Sequence, residues 1–238
     1  MDAAERALEF VKDGDVVGLG TGRAATAFVR ALGMRAQAGL RVRGIPTSRV
    51  TTDLAQELGI PLTTFQQVDT IDVAVDGADE VDPQLNLIKG YGGALVREKI
   101  VAAAAKRFVI LVGTGKLVTN LGERGKLPVE VVPFGLTTCC RHLRALSCNP
   151  TPRQTEAGLF VSDNGNALID CEIGAIAHPA EFVPFAHHVA RHFEHAVART
   201  AHRAADGDEF LGGGGGAGHH FAIDIAMQHG ARRRKAER

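Results

Sequence analysis

The sequence predicts an α/β fold: a doubly wound, mostly parallel, Rossmann-like sheet followed by a second, smaller α+β domain. Three observations carry that expectation. Four apolar runs, in "DGDVVGLG", "LRVRGIP", "TIDVAVDGAD" and "FVILVGTG", alternate with segments of helical period. The third run is too continuously apolar for a sheet with one wet face, which is the mark of a strand covered on both sides. After "LPVEVVPF" the alternation stops, and the order becomes helix, strand, turn, strand.

Taken in order, residues 2–12 place Ala4, Leu8 and Val11 on one helical face. "DGDVVGLG" is a turn and a first strand, and "TGRAATAFVRALGMRA" a helix. "LRVRGIP" is the second strand. "TTDLAQELG" is a helix with Thr51 or Thr52 at its cap and Gly59 at its stop. "TIDVAVDGAD" is the third strand, "REKIVAAAAKR" a helix and "FVILVGTG" the fourth strand. In the smaller unit, "DNGN" between "LFVS" and "ALID" is a hairpin signal, because Asn164-Gly165 accepts positive φ angles. The expected division is 1–128 for the catalytic domain, 129–200 for the small domain and 201–238 for a Gly-rich, basic tail. In that tail the five glycines of "GGGGGAGHH" read as a flexible segment.

Composition excludes several classes. Lys plus Arg and Asp plus Glu both number 27 in 238 residues, so no global field favours nucleic acid or an anionic membrane. No run of 18 apolar residues is present to span a bilayer, and the start "MDAAERALEFVKDG" lacks the basic and apolar regions of a signal peptide. Cys139, Cys140, Cys148 and Cys171 show no paired metal spacing and read as reduced thiols of a cytoplasmic protein.

Open α/β sheets bind ligands outside the carboxyl ends of their strands. The unusual residues gather there: "GLGTG", "PTS", "DGADE" and "GTGK" follow the four strands in turn. "GLGTGRAA" is a glycine-rich turn entering a helix, which favours a phosphate or carboxylate. A dinucleotide is disfavoured, because Pro46-Thr47-Ser48 stands where an acid would hold a ribose hydroxyl. "DGADE" brings the carboxylates of Asp76, Asp79 and Glu80 together. Magnesium is one partner for such a group. Lys89, nine residues beyond Glu80 in "IKGYGGA", favours a mixed-charge site over a metal cage. Glu98, in the first turns of the helix after "GGA", either faces the crevice or pairs on the helix surface.

"VGLGTG", "GIPTS", "AVDGADEVD", "IKGYGGALVREK", "LPVEVVPF" and "SDNGNALID" together resemble ribose-5-phosphate isomerase of the A type, in order and spacing, over about residues 4 to 180. The resemblance implies an aldose–ketose isomerase of the pentose phosphate pathway, without metal or other cofactor, acting on a sugar phosphate as a homodimer or homotetramer. It implies Glu98 as the proton-transferring base, Lys89 as the cation at the developing enediolate, and Asp76 and Asp79 as the active-site aspartates. Substrate contacts are expected from Gly20, Thr21, Gly22, Arg23 and Ala24, then Thr47 and Ser48, then Gly77 and Ala78. Gly90, Gly92, Gly93 and Lys116 complete the set.

Two departures stand out. The family turn continues Gly-Thr-Gly-Ser-Thr, whereas Arg23 and Ala24 occupy the Ser and Thr positions here, exchanging two hydroxyl donors for one guanidinium. After "HPAEF" neither the family's "PGVVE" nor its "GLF" segment is found. The rival readings are a non-catalytic sugar-phosphate-binding domain and a coenzyme A transferase-like enzyme. The lysine-bearing glycine loop after "DGADE" favours the isomerase.

Overall fold

The computed structural model describes residues 3–176 and Pro179, and beyond them the backbone of four short strands, 194–195, 197–198, 210–211 and 220–226. The chain opens with α1 (Ala3–Ala7), and the expected continuation to residue 12 is a 3₁₀ turn at Leu8–Phe10. Then follow β1 (Val16–Leu19), α2 (Arg23–Gln37), β2 (Arg43–Pro46), α3 (Arg49–Glu57) and β3 (Ile71–Gly77). A short antiparallel pair, β4 (Glu80–Val81) and β5 (Leu87–Ile88), precedes α4 (Leu95–Ala104) and β6 (Ala105–Gly113).

The smaller unit comprises β7 (Lys126–Val131), α5 (Leu136–Ala145), β8 (Asn149–Pro152), β9 (Gln154–Thr155), β10 (Gly158–Leu159) and β11 (Ala167–Glu172). The later strands are β12 (Glu194–His195), β13 (Val197–Ala198), β14 (Phe210–Leu211) and β15 (His220–Ala226).

The main sheet runs β14-β15-β6-β3-β1-β2. Its four strands β2, β1, β3 and β6 are parallel, as the alternation with helices requires. β15 extends the row antiparallel to β6, with β14 at its edge, so backbone from the 201–238 segment joins this sheet. The glycine run at 212–216 lies outside the described residues.

Side chains alternate across the parallel strands. Val17, Leu19, Val73, Val75, Val109 and Leu111 pack with Phe28 and Leu32 of α2 and Ala4 of α1. Val16, Ala74, Phe108, Ile110 and Val112 pack with Val101 and Ala102 of α4. Both faces are covered, which accounts for the near-continuous apolar runs. The smaller sheet, β12-β7-β11-β8, is antiparallel and packs on α5 through Cys139, Cys140, Leu143, Cys171 and Ile169. All four cysteines are free and buried.

Three local readings change. The cap of α3 is Ser48, not Thr51 or Thr52. Its extended backbone lets Oγ accept from the Thr51 amide at 3.1 Å. The helix read as "REKIVAAAAKR" starts two residues earlier, at Leu95, and yields Ala105–Arg107 to β6. At "DNGN" only Gly165 has positive φ, at 78°. There the chain turns with Gly165 N–H donating to Ser162 O, joined by one bridge at Val161 and Ala167. The flanking hairpin is β9–β10.

One glycine decides how closely α4 approaches the sheet. A methyl group on Gly18 of β1 would lie 2.5 Å from Val101 Cγ1 and 2.8 Å from Ala74 Cβ. Gly18→Ala must therefore push α4 outward or strain the strand, and overpacking of this kind costs about 1–3 kcal/mol. Thermal unfolding should show the loss as a lowered Tm. An unchanged Tm would mean that α4 has slack against β1.

Candidate active site

The sheet delivers its functional groups at the carboxyl end of β3. Asp76, the penultimate residue of that strand, is buried. Its Oδ1 accepts from the amides of Gly77 at 2.7 Å and Thr21 at 3.2 Å, which ties β3 to the glycine-rich turn after β1. The turn lies directly on this carboxylate. A Cβ on Gly20 would stand 2.3 Å from Asp76 Cγ, so no side chain fits there.

Lys89 follows β5 directly and reaches the end of β3. It is 7% exposed, and its ammonium donates to the Gly77 carbonyl. Nζ is 3.1 Å from Asp76 Oδ2 and 3.2 Å from Glu98 Oε2. Glu98 arrives from the first turn of α4 and is 5% exposed. Among the described residues, its Oε2 is buried without a hydrogen bond of good geometry, although the lysine charge stands 3.2 Å away. The contact with the ammonium is thus chiefly one of charge.

Burial raises the proton affinity of Glu98, and the Asp76 carboxylate raises it further. Lys89 opposes both, leaving the group pushed up to about 7. Burial also raises Asp76, against the pull of Lys89 and of the two amides. Burial would lower Lys89, but the carboxylates of Asp76 and Glu98 outweigh it and raise the lysine, which is fully charged at neutral pH. One ammonium thus lies between two carboxyl groups that compete for the remaining proton.

A cavity of about 660 Å³ opens over this group. Glu98, Lys89 and Asp79 reach its wall, with Gly77, Ala78, Gly90 and Gly92. Thr21, Gly22, Arg23 and Ala24 line it from the start of α2, and Lys116 from the turn after β6. Asp79 Oδ2 accepts from the Tyr91 amide at 2.9 Å, and its Oδ1 is 3.8 Å from Lys116 Nζ.

Some expected residues sit elsewhere. Thr47 and Ser48 are buried behind the turn, where their hydroxyls meet Thr21 Oγ1 at 2.7 and 2.8 Å. Gly20 and Asp76 lie beneath the cavity wall. Gly93, with φ of 86°, faces the Phe160 ring of the smaller unit, which a Cβ would approach to 2.6 Å. Glu80 turns away to accept from the amides of Gly122 at 2.5 Å and Arg124 at 3.0 Å. Tyr91, which the sequence reading does not single out, lines the cavity. Its ring has Lys126 Nζ at 4.8 Å and Lys116 Nζ at 5.9 Å. Its place within "IKGYGGA" is the signal that could have found it. Among the described residues, no three of His, Cys, Asp and Glu are grouped to hold a metal ion, and no helix is long and apolar enough to cross a membrane.

A carboxylate poised near neutrality beside a fixed ammonium suits the movement of a proton between adjacent carbons while an oxyanion is stabilised. On a doubly wound sheet this is the chemistry of an aldose–ketose isomerase. Residues 43–199 match the family model of ribose 5-phosphate isomerase A (phosphoriboisomerase A). Ribose-5-phosphate isomerase A of Roseiflexus sp. (strain RS-1) is 54% identical over 180 residues, covering 74% of this chain and 77% of the relative. A solved ribose 5 phosphate isomerase A from Neisseria gonorrhoeae superposes with a TM-score of 0.79 at 32% identity, covering 95% of each chain. A solved D-ribose-5-phosphate isomerase in complex with phospho-erythronic acid gives 0.77 at 38% identity, covering 82% of this chain and 86% of the other. The chain belongs to the ribose 5-phosphate isomerase A family.

The raised carboxyl has a consequence for stability. Glu98 binds its proton more tightly folded, at about 7, than at the ordinary value of 4.5. Its favourable contribution is therefore complete below about 4.5 and is lost as pH rises through about 7. Gln imitates the protonated acid at every pH. In urea unfolding, Glu98→Gln should gain stability relative to the unsubstituted protein between pH 5 and pH 8, by on the order of 3 kcal/mol. An equal difference at both pH values would show that the acid is ionised throughout.

Proposed function

We propose that the chain interconverts D-ribose 5-phosphate and D-ribulose 5-phosphate through a cis-enediolate, with Glu98 as the base. The observation that supports this most directly is the buried Glu98–Lys89 pair at the cavity wall, 3.2 Å apart. Glu98 takes the proton from C2 of the open-chain aldose. The C–H electron pair forms the C1–C2 double bond, and O1 becomes the oxyanion. Lys89 stabilises that charge where the site is dry and the interaction strong. The hydroxyl proton of O2 passes to O1, Glu98 returns its proton to C1, and the carbonyl is left at C2. Asp79, at the cavity wall, assists ring opening. Asp76, beneath the wall, holds Lys89 and the glycine turn. Residues 1–128 work as the catalytic unit and 129–200 as its support.

The cations Arg23 and Lys116 line the same cavity and supply the charge for the phosphate. Arg23 is the first residue of α2, where unpaired amides already favour an anion. A solved relative is in complex with phospho-erythronic acid, a phosphorylated ligand, which accords with a phosphate site here. The reading places the enzyme in the cytoplasm, in keeping with its four free cysteines. It also makes the enzyme a homodimer or homotetramer, for which fully exposed Phe134 beside half-exposed Val132 offers apolar surface.

A base must be ionised, so turnover should fall as pH drops through about 7. Glu98→Gln should fold and lower kcat by roughly three or more orders of magnitude, with exchange of the C2 proton falling in parallel. More than about a tenth of the original turnover, too much for a lost general base, would remove Glu98 from the role. That outcome would assign the base to another group, whereas no turnover in the unsubstituted protein would leave the sugar-phosphate-binding reading standing.

Arg23→Ala should raise KM for ribose 5-phosphate by about tenfold or more, since a lost charged hydrogen bond costs about 1.5–3 kcal/mol. Use of free ribose should hardly change. Equal losses on both sugars would show that Arg23 supports the turn and leaves the phosphate to other groups.

A further inference from the structure

One buried carboxylate takes no part in the chemistry above. Glu130, on β7 of the smaller sheet, is 1% exposed. Its Oε1 accepts from Ser162 Oγ at 2.6 Å, Asn166 Nδ2 at 3.0 Å and Asn164 Nδ2 at 3.2 Å. Its Oε2 accepts from the backbone amide of Val96 at 3.2 Å. Val96 is the second residue of α4, in the same turn as Glu98.

The first amides of a helix have no partner within it. The residue preceding α4 is Ala94, which supplies no side-chain cap. The cap comes instead from a strand of the other sheet, 34 residues along the chain. Further ties bracket the same segment. Arg153 Nη1 donates to the Tyr91 carbonyl at 2.9 Å. Arg97 Nε donates to Asn164 Oδ1 at 2.8 Å and its Nη2 to the Asp163 carbonyl at 3.1 Å. The smaller unit thus grips residues 91–97, between Lys89 and Glu98.

We infer that Glu130 is a positioning residue: it fixes the first turn of α4 against the smaller sheet and thereby sets where the Glu98 carboxyl stands relative to Lys89. This rests on the isomerase reading. The competing account gives Glu130 only the task of satisfying the turn at 162–166. The two accounts separate because the carboxylate is divided. Oε1 holds the turn and Oε2 holds the helix.

Glu130→Gln keeps the size and replaces one oxygen by a donor. Three donors claim the remaining oxygen, so the amide NH₂ meets the Val96 N–H. With rates normalised to folded protein, kcat should fall about ten- to a hundredfold, as a displaced catalytic group implies. KM for ribose 5-phosphate should stay within about threefold, because the phosphate contacts are elsewhere. The pH at half-maximal turnover should shift, since Glu98 moves relative to Asp76, Asp79 and Lys89, the charges that set its proton affinity. Glu130→Asp, which retains the charge but draws it back from Val96, should do the same. Ser162→Ala removes one donor from Oε1 and should leave kcat within about twofold.

Unchanged kcat and pH midpoint in Glu130→Gln would overturn the inference. So would a Ser162→Ala loss as large as that of Glu130→Gln, or failure of both Glu130 variants to fold. If the unsubstituted protein does not isomerise ribose 5-phosphate, it is the isomerase reading that fails. The NMR titration of the Glu98 carboxyl then decides for Glu130: a midpoint displaced in Glu130→Gln supports positioning, and an unmoved one overturns it.

Discussion

The structure around the site depends on placing one ammonium, Lys89, between two carboxyl groups out of water. Moving any of these charges from water alone would cost several kcal/mol. The cost is offset only if every remaining polar atom finds a partner. Lys89 meets this by donating to the Gly77 carbonyl while facing Asp76 and Glu98. Asp76 meets it with the amides of Gly77 and Thr21. Among the described residues, Glu98 alone is left with an oxygen that no donor addresses in good geometry. Burial and the neighbouring Asp76 carboxylate raise the proton affinity of Glu98 toward neutrality, against the pull of Lys89. A fully bonded carboxylate in the same place would be a better structural ion and a poorer base.

Such an arrangement demands backbone at close quarters. The turn after β1 reaches Asp76 because Gly20 has no Cβ to collide with the carboxylate. α4 comes near enough to offer Glu98 because Gly18 leaves room for Val101. The strand order completes the requirement, since β1, β3 and β6 are parallel neighbours whose carboxyl ends open on one side. Fold, glycine placement and proton affinity are in this sense one constraint expressed at three scales.

Much of this is legible in the sequence because it is local. "DGADE" at a strand end, Lys89 nine residues beyond Glu80 and Glu98 nine residues further are read along the chain, and the strands that carry them show as apolar runs. What the sequence hides depends on distant pairing. Glu130 looks like one charge in an apolar strand, and only the packing of β7 on α4 shows that its partner is Val96. Ser48 yields to the threonines that follow it as the expected cap of α3, because extended backbone at 48 cannot be told from helix by composition. "DNGN" signals a turn correctly, but apolar character alone overstates the strand before it. The ladder there is a single bridge, and the hairpin forms upstream at β9–β10. The glycine run obscures the strand at 220–226, whose pattern "HFAIDIA" begins shortly after it.

The hydroxyls beside the glycine turn show why residue 23 matters in this chain. Thr21 Oγ1 is within 3.3 Å of the hydroxyls of Thr47, Ser48 and Thr51, and Thr51 Oγ1 donates to the Gly20 carbonyl at 3.0 Å. This cluster ties β1 to the start of α3 and fixes the turn, so the threonine side chain is engaged on the fold side of the loop. Ala24 offers no donor in place of the family's hydroxyl. Arg23 and Lys116 are the cations that line the cavity from this turn and the neighbouring one. On the proposed reading the phosphate is therefore met chiefly by full charges and the helix terminus. A charge-assisted bond is roughly twice as strong as a neutral one. It also reaches from a longer, less constrained side chain, so grip is gained at the expense of fixed geometry. On that reading the reacting carbons are spared the exchange, because Lys89 and Glu98 are held by other contacts, Lys89 by Asp76 of β3 and Glu98 by the first turn of α4 that Glu130 caps.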